Sequence, residues 1–353
     1  MPTIRDVALS AKVSVATVSR VLNESGYADS ETRVRVLKAA AELEYKRNVN
    51  WSRLKSQSSQ TILFLLGNRQ GFNSFHMRLL VACERTLRSR GYDLIFARHE
   101  YSNRLQATEL PLPRLLEQEG AVDGVILAGI HYPNLLHVLQ KRRMPFTMLG
   151  NNFEGPASML AHNCIFYDDR SGIEDATSYL IRLGHRRIAF LGNTSLPWFQ
   201  RRHQGYLQVM EERGLDPLGV TENWQLANTD YGQLATTQLL KDSRRPPTAI
   251  LAGNDELSAG AWKELTKRKI TIPKEMSLIG LGDRAEFSIL EPAMSSISVF
   301  DDQLGERLTT MLLSRIQDSK HAPASETYPC KLIERASCSP LAEIRMLEQV
   351  KRK

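Results

Sequence analysis

The first 45 residues carry apolar side chains at helical spacing. Between Ile4 and Ala11 the apolar positions recur at intervals of three and four, which predicts a short amphipathic helix. Thr3 can cap this helix, and Asp6, three residues further on, completes a short-armed capping box. The Lys12-Val13 step then interrupts the pattern. We therefore expect the first helix to end there.

Two more helices are predicted before residue 46. Ser14 can cap a helix from Val15 to Leu22 that turns Val18, Val21 and Leu22 inward. After a polar loop, a third helix is marked by apolar positions at Val34, Leu37, Ala41 and Tyr45. Two short helices joined by a tight turn and closed by a third form a helix-turn-helix module, although any small three-helix bundle would show the same periodicity.

From Thr61 onward the pattern changes to short apolar runs that alternate with amphipathic stretches. Repeated βα units of this kind predict an α/β fold of doubly wound parallel sheets, and about 280 residues favour two lobes with a cleft between them. The predicted strands are Ile62–Leu66, Asp93–Ala97, Val122–Leu127, Phe146–Leu149, Ile188–Leu191, Ala249–Ala252 and Ser277–Leu281. The predicted helices are Met77–Arg90, Ile173–Leu183, His203–Arg213, Gly232–Leu240 and Glu256–Arg268.

These patterns divide the chain into four parts. A headpiece, residues 1–46, precedes a polar linker, residues 47–60, in which one or two helical turns would need a partner to become ordered. The two-lobed core follows in residues 61–340, and residues 341–353 form a basic tail. Apolar residues at intervals of three in the tail allow an assembly helix, but their short run favours a frayed end.

Composition narrows the class of protein. The 353 residues are 42% hydrophobic and 24% charged, as expected for a folded protein rather than a collagen-like or disordered one. No apolar run approaches the length of a membrane span, and Arg5 and Asp6 interrupt any secretory signal. The four cysteines show neither CxxC spacing nor a cluster with histidine, which indicates reduced thiols. We expect a cytoplasmic protein with no membrane partner.

Charge is concentrated at the N-terminal end. The chain carries a net charge of +7, and residues 1–60 account for +4 of it. From Lys46 to Gln60 there are four cations and no anion. A modest positive excess is usually an ordinary solvated surface, but beside a helix-turn-helix pattern it indicates contact with nucleic-acid phosphates.

Two N-terminal stretches, TIRDVALSAKVSVATVSRVLN and ETRVRVLKAAAELEY, are followed by a series of landmarks: GYDLIFA, VDGVILAG, LGHRRIAFLGN, PTAILAGNDELSAGA, IPKEMSLIGLGD and LIERAS. With these motifs in this order, the sequence resembles the lactose-repressor/purine-repressor (LacI/GalR) family of bacterial transcription regulators. The two N-terminal stretches are similar to the family's headpiece. The resemblance covers roughly residues 2–340. It implies a DNA-binding headpiece, a hinge helix and a core similar to periplasmic sugar-binding proteins.

The family's DNA-reading positions carry over onto the second helix. Its base-reading residues fall on Val15, Ala16 and Arg20, and Arg20 can donate two hydrogen bonds to guanine O6 and N7. An exposed charge or a surface ion pair is the alternative role of Arg20. Phosphate contacts are expected from the polar residues around these positions, namely Ser14, Thr17, Ser19 and Asn23. Thr3 and Tyr45 are further expected DNA-binding residues of the headpiece.

The hinge adds a second DNA contact. Leu54, followed by Lys55, occupies the family's hinge leucine, and an apolar wedge in the minor groove would unstack a base step and bend the duplex. Packing on the core, or a disordered tether, is the alternative role of Leu54. Asn48 and Trp51 depart from the proline and the small residue that are usual in this segment.

The effector positions of the family carry over unevenly. The resemblance implies an effector site formed by Phe75, His76, Asp168, Arg202, Asn254 and Asp283. Arg202 is a fork of donors suited to hydroxyl, carboxylate or phosphate groups, and its alternative role is a salt bridge between lobes. For Asp168 and Asn254 the alternative is structural capping of a turn. Gly282 replaces the family's effector-contacting aspartate, and Ala227 lies near the usual stacking aromatic.

Other classes of protein fit less well. No GxSxG, Walker or HExxH motif is present, so we expect neither an enzyme nor a cofactor or metal site. A transported-solute receptor would share the core fold but lack the headpiece. The resemblance implies a regulator, most simply a repressor of a carbon-utilisation operon, that binds an inverted-repeat DNA operator as a homodimer and responds to a carbohydrate effector. An activator, a purine or nucleoside effector, and no effector remain alternatives.

Overall fold

The computed structural model describes residues 2–22, 28–43, 45, 58–69, 71, 73–161, 163–221, 228–241, 246–318 and 325–341. The chain divides into two compact units, residues 1–59 and 60–353. The first unit contains three helices, α1 (Ile4–Ala11), α2 (Val15–Leu22) and α3 (Ser30–Glu42). The second contains two six-stranded sheets with helices packed on them.

The small unit is closed by a core of short apolar side chains. Thr3 and Asp6 form the predicted capping box: the amide of Thr3 donates to the Asp6 carboxylate at 2.6 Å, and the Asp6 amide donates to Thr3 Oγ1 at 3.4 Å. Lys12 ends α1 in the left-handed region at φ 54°. The core is formed by Val7, Ala8, Ala11, Val18, Val21, Val36 and Ala39.

The third helix is present as predicted, but not all of the apolar residues that marked it in the sequence are buried. Val34 and Leu37 are 64% and 49% exposed, whereas Val36 and Ala39 are buried. The buried face of this helix is therefore formed by valine and alanine side chains that pack against the other two helices.

The first lobe of the core is an all-parallel sheet. Its strands are β1 (Thr61–Gly67), β2 (Asp93–His99), β3 (Gly124–Gly129), β4 (Phe146–Leu149), β5 (Cys164–Asp168) and β11 (Ser325–Pro329), in the order β11-β5-β4-β3-β1-β2. Every residue of β1 is buried, as expected of a central strand covered by helices on both faces. Its helices are α4 (Ser74–Ser89), α5 (Arg114–Glu117), α6 (Pro133–Lys141) and α12 (Asp301–Gln317).

The second lobe repeats this architecture. Its strands are β6 (Ile188–Leu191), β7 (Leu218–Val220), β8 (Ala249–Ala252), β9 (Ser277–Leu281), β10 (Ser295–Ser298) and β12 (Lys331–Ile333), in the order β12-β10-β9-β8-β6-β7. Only the β10–β12 pair is antiparallel among the described strands. Its helices are α7 (Asp169–Arg182), α8 (Pro197–Glu212), α9 (Asn228–Lys241), α10 (Asp255–Lys267) and α11 (Ala285–Ser288).

The chain passes between the lobes three times. The passages follow β5 into α7, β10 into α12, and β11 into β12. The carboxyl ends of β1, β5, β8 and β9 all lead to one cleft, which lies between the lobes. The predicted α/β fold with parallel sheets in two lobes is confirmed, and four of the predicted strands have the observed bounds: β4, β6, β8 and β9.

Candidate functional site

One face of α2 consists of exposed side chains of the types expected to read DNA. Val15 is 41% exposed, and Ala16 and Arg20 are exposed as well, while Val18 and Val21 on the opposite face are buried in the headpiece core. This division leaves the three proposed base-reading residues available on the outside of the helix. A helix with a free face of this kind fits the major groove of B-DNA.

The first turn of α2 is fixed by two hydroxyl groups. Ser14 Oγ accepts a hydrogen bond from the Thr17 amide at 3.1 Å, and the two hydroxyls lie 2.9 Å apart. This contact caps the helix as predicted and holds both side chains at its N-terminal end, where backbone amides also favour a phosphate.

The other headpiece positions differ in their surroundings. Thr3 is exposed and is already used in the capping box of α1. Ser19 is half-buried, and Tyr45 packs against the headpiece core. Asn23, Leu54 and Lys55 lie outside the described residues, so the predictions made for them stay predictions.

The interlobe cleft is narrow and lined from both sides. Its accessible volume is about 50 Å³, which leaves space for a few water molecules. The first lobe contributes Arg69, Asn73, Ser74, Phe75, His76, Asn152 and Tyr167. The second lobe contributes Trp198, Arg202, Asn254, Asp255, Glu256, Leu281 and Gly282.

Arg202 lies in the cleft wall but is bound within its own lobe. It is 5% exposed, its Nε donates to Asp169 at 2.7 Å, and its Nη1 donates to the Gly253 carbonyl at 2.7 Å. Asp169 is fully buried and also accepts two hydrogen bonds from Arg201, at 2.6 and 2.9 Å. Burial opposes the charge of Arg201, but its bonds to Asp169 raise the pKa of that guanidinium above its ordinary value.

Asp168 and Asp169 have different partners, and Asp169 is the buried acceptor of both arginines. Asp168 caps α7: its carboxylate accepts from the Ser171 amide at 3.1 Å and from the Ser171 hydroxyl at 2.7 Å. Asp168 is not among the residues that line the cleft. The difference arises because Asp168 is the last residue of β5 and Asp169 the first of α7, so their side chains leave the chain in different directions.

Asp283 also lies outside the cleft lining. Its carboxylate forms an ion pair with Arg335 at 2.7 Å, and its amide donates to Ser296 Oγ at 3.1 Å. These partners lie outside the cleft, and the contact of Asp283 with an effector stays a prediction. A left-handed backbone at φ 55° turns this residue toward the strand pair β10–β12 and leaves Gly282 at the cleft.

Phe75, His76 and Asn254 do line the cleft, as expected. The Phe75 ring lies 5.6 Å from that of Tyr167, between centroids, and presents apolar surface. Burial, with a smaller effect from the charge of Arg69, lowers the pKa of His76 to about 3, so the imidazole is neutral at pH 7. Asn254 also caps α10 by accepting from the Leu257 amide at 2.8 Å, a structural role different from the turn capping predicted as its alternative.

Several cleft residues were missed by sequence reasoning. Arg69 lies over the ring of Trp198 at 4.0 Å from its centroid, and this contact joins the two lobes. Ser74 Oγ donates to Glu256 Oε1 at 3.2 Å, and Arg78 donates to Asp301 and, at 2.9 Å, to the Gly282 carbonyl. The signal available in the sequence was the segment Asn68-Arg69-Gln70 directly after a buried strand, where ligand-binding loops of α/β proteins occur.

Asp255 is the most unusual group in the cleft. It is 3% exposed, its nearest cation is Arg78 at 4.0 Å, and its Oδ1 has no hydrogen-bond donor within the described residues. Burial raises the pKa of Asp255 well above its ordinary value, against the opposing charge of Arg78. A carboxylate in this environment can accept a hydrogen bond from a bound molecule without first giving up a partner.

Two classes of site are not found in the described part of the chain. No three His, Cys, Asp or Glu side chains there come together in a way that would hold a metal ion. In the same residues, no helix combines the length and apolar character that crossing a membrane requires.

Comparison with known proteins agrees with both units. The model of the family described as "Bacterial regulatory proteins, lacI family" matches residues 3–48, and the model described as "Periplasmic binding protein-like domain" matches residues 177–338. The HTH-type transcriptional repressor PurR of Serratia proteamaculans is 31% identical over 345 residues, which cover 96% of this chain and 97% of the relative. The chain belongs to the LacI family.

Other LacI-family proteins are similar over the same length. The HTH-type transcriptional repressor CytR of Escherichia coli K12 is 28% identical over 344 residues, covering 96% of this chain and 97% of the relative. The solved lac repressor dimer bound to operator and the anti-inducer ONPF aligns with a TM-score of 0.77 at 23% identity, covering 96% of this chain and 99% of that one. This last likeness concerns the fold.

Gly282 lies close to Asp255 at the cleft. A Cβ atom added there would lie 2.1 Å from Asp255 Oδ2, and the backbone has φ +131°, which side chains rarely adopt. A side chain at this position would therefore require Asp255 to move. In the described cleft lining, the acidic side chains are supplied by the first turn of α10, from Asp255 and Glu256.

Proposed function

We propose that this protein is a sequence-specific transcriptional repressor that binds an inverted-repeat operator as a homodimer. Residues 1–46 are the DNA-binding headpiece, residues 47–60 the hinge, and residues 61–340 the effector-binding core. The observation that carries the proposal is the exposed face of α2 with Val15, Ala16 and Arg20. The cytoplasm, where the operator lies, is the proposed location.

Support for a homodimer comes from the distribution of exposed apolar side chains in the core. Four of the six large ones in the described core residues lie on two neighbouring elements, α4 and the edge strand β2, and these are Met77, Val81, Ile95 and Phe96. Apolar patches of this kind mark protein interfaces. A dimer joined through this surface carries two headpieces, as an inverted repeat with two half-sites requires.

We further propose that a small molecule in the interlobe cleft changes operator affinity. A LacI-family regulator from Enterococcus faecium is solved with bound ribose, and the regulator CelR as a complex with cellobiose, which favours a carbohydrate or a carbohydrate derivative here and a role in carbon utilisation. The polar and aromatic lining of the cleft is compatible with that class. The contacts that cross the cleft give such a ligand a means of changing the position of one lobe relative to the other.

The proposed reading of DNA is tested through Arg20. An Arg20→Ala variant should lose about 1–3 kcal/mol of discrimination at one base pair in each half-site, because a bidentate contact to guanine is removed. Lys38→Ala is a matched control, since Lys38 is an exposed cation of the same headpiece whose partner is Glu42. Binding to a library of operator variants, followed by fluorescence anisotropy, measures the loss base pair by base pair. Unchanged specificity in Arg20→Ala would remove Arg20 from the reading surface.

A further inference from the structure

Within the described residues, Arg69 is a cation of the cleft without an acidic partner at ion-pair distance. It follows β1, and its guanidinium carbon lies 4.0 Å from the centroid of the Trp198 ring, which belongs to α8 of the other lobe. Within the described residues this guanidinium donates no hydrogen bond and has no carboxylate at ion-pair distance. Stacking uses the face of a guanidinium and leaves the N–H groups in its plane available. Arg69 is therefore positioned to donate hydrogen bonds to a molecule that enters the cleft.

Arg202 is a second cation close to Arg69. Burial lowers the pKa of Arg69, and the nearby charge of Arg202 lowers it further, while the charge of Glu256 acts in the opposite direction. Arg202 is itself paired with Asp169. The cleft lining contains two acids, Asp255 and Glu256, but neither forms an ion pair with Arg69. An acidic group bound at Arg69 would give its guanidinium a direct partner.

The same cleft also contains acceptors that lack donors. Asp255 Oδ1 and Asn152 Oδ1 are buried and have no hydrogen-bond partner within the described residues. Both residues line the cleft with Arg69, one from each lobe. Buried acceptors of this kind are rare in folded proteins because each costs free energy until a donor reaches it. Hydroxyl groups are donors that would satisfy them.

We infer that the effector is a small hydroxylated organic acid whose carboxylate or phosphate group binds Arg69 while its hydroxyl groups donate to Asp255 and Asn152. This inference rests on the proposed function, in which the cleft is the effector site. A sugar acid and a sugar phosphate share the required chemistry. A neutral sugar would satisfy the acceptors but leave Arg69 without a partner.

The small volume of the cleft affects how a ligand can enter it. Sites for small molecules usually enclose about 300–1,000 Å³, against about 50 Å³ here. An acid can therefore enter only when the lobes separate, which disturbs the Arg69–Trp198 stacking and the Ser74–Glu256 hydrogen bond. Binding at Arg69 is thereby coupled to the relative position of the lobes.

The test compares neutral sugars with their acids on the full-length protein. The probes are D-glucose with D-gluconate and D-glucose 6-phosphate, and D-ribose with D-ribonate and D-ribose 5-phosphate. Thermal shift followed by calorimetry measures binding, because a ligand of the folded state raises Tm by mass action. At least one acid should bind about 10- to 100-fold more tightly than its neutral parent. Binding of the gluconate or ribonate identifies a carboxylate, and binding of a phosphate ester identifies a phosphate.

Three variants connect that binding to Arg69. Arg69→Gln should weaken binding of the acid by about 10-fold or more and leave the neutral sugars unchanged, while Arg69→Lys should fall between it and the wild type. Arg213→Gln is the matched control, because Arg213 is exposed at the far end of the helix that carries Trp198. The Tm of each variant without ligand checks that it is folded.

The inference is overturned if no acid in the panel binds, if a neutral sugar binds as tightly as its acid, or if Arg69→Gln retains the affinity of the wild type. Operator binding, measured without any small molecule, separates this failure from failure of the proposed function. Arg69→Gln should still bind an inverted repeat. A wild-type protein that prefers no inverted repeat would contradict the proposed function, whatever acids it binds.

Discussion

The buried cluster around Asp169 yields the sharpest prediction for stability. Asp169 is fully buried and accepts three charged hydrogen bonds, two from Arg201 and one from Arg202. In Asp169→Ala both guanidiniums lose this partner, while Arg202 remains buried and can gain little solvation. Breaking a buried ion pair by removal of one member costs about 3–5 kcal/mol.

The expected loss is large enough to measure directly. In a domain of 150–250 residues, 1 kcal/mol corresponds to about 2–4 °C in Tm, so Asp169→Ala should melt about 6–20 °C below the wild type. Asp168→Ala is the matched control one residue away, and it removes only the cap of α7. Loss of a helix cap costs about 0.5–2 kcal/mol.

Differential scanning calorimetry and urea denaturation of the full chain provide the two measurements. The account predicts that Asp169→Ala is the less stable of the two variants by about 1–4.5 kcal/mol. Equal stabilities, or a larger loss in Asp168→Ala, would refute the assignment of Asp169 as the centre of the cluster.

Two further predictions concern backbone strain and pH. Lys12→Gly should stabilise the headpiece by about 1 kcal/mol, because Lys12 ends α1 at φ 54°, where glycine is less strained. Slower hydrogen exchange of headpiece amides in the full chain would report this gain. Unchanged or faster exchange would contradict it. Asp255→Asn should alter how stability depends on pH. Burial raises the pKa of Asp255 above 3.8, so the folded state binds this proton more tightly than the unfolded state does. The contribution of Asp255 to the free energy of unfolding therefore falls as pH rises from about 4 through the folded-state pKa. The stability of Asp255→Asn relative to the wild type should therefore increase across that range of pH, and a difference that stays constant would show that Asp255 does not titrate as described.

The elements best predicted from sequence are those whose environment is uniform. The strands β4, β6, β8 and β9 are apolar runs buried on both faces, so composition alone indicates their bounds. The strand β10, with the sequence SSIS, escaped prediction because its serines are buried through hydrogen bonds instead of apolar contact. One example is Ser295 Oγ, which donates to the Arg335 carbonyl at 3.2 Å and accepts from the Arg335 amide at 2.9 Å.

Edge strands escaped prediction for a related reason. The strand β11, SETYP, alternates between exposed and half-buried residues and ends in a proline, which is tolerated only at the margin of a sheet. The strand β7 has only three residues and lies at one edge of the second lobe's sheet. Its hydrophobic pattern is too short to be detected in the sequence. Such strands are defined by the neighbour they pair with, which lies far away in the sequence.

In the candidate site, too, sequence patterns predicted some residues correctly and failed for others. Helical periodicity predicted the inward residues of α2, and Val18 and Val21 are buried as expected; Val15, Ala16 and Arg20 were named from the resemblance and are exposed. At the junction of β5 and α7, the resemblance led to Asp168, which caps the helix, whereas its neighbour Asp169 is the fully buried one. Periodicity does not resolve which of two adjacent residues, at the junction of a strand and a helix, turns inward.

The position of Arg69 in the cleft could not be predicted from the sequence, for a different reason. Its importance depends on Trp198, which is more than one hundred residues away and belongs to the other lobe. A cation that lacks an acidic partner is visible only once every neighbour has been placed. Pairwise contacts across the cleft are properties of the folded chain.

The most direct test of the account is the preference of the purified full-length protein for inverted-repeat DNA. Selection from a random duplex library, followed by anisotropy titration at physiological salt, gives the ratio of specific to nonspecific affinity. The account predicts enrichment of a two-fold symmetric site, bound at least 10³-fold more tightly than random duplex, with an affinity that falls steeply as salt rises. Equal affinity for symmetric and random duplexes would contradict it.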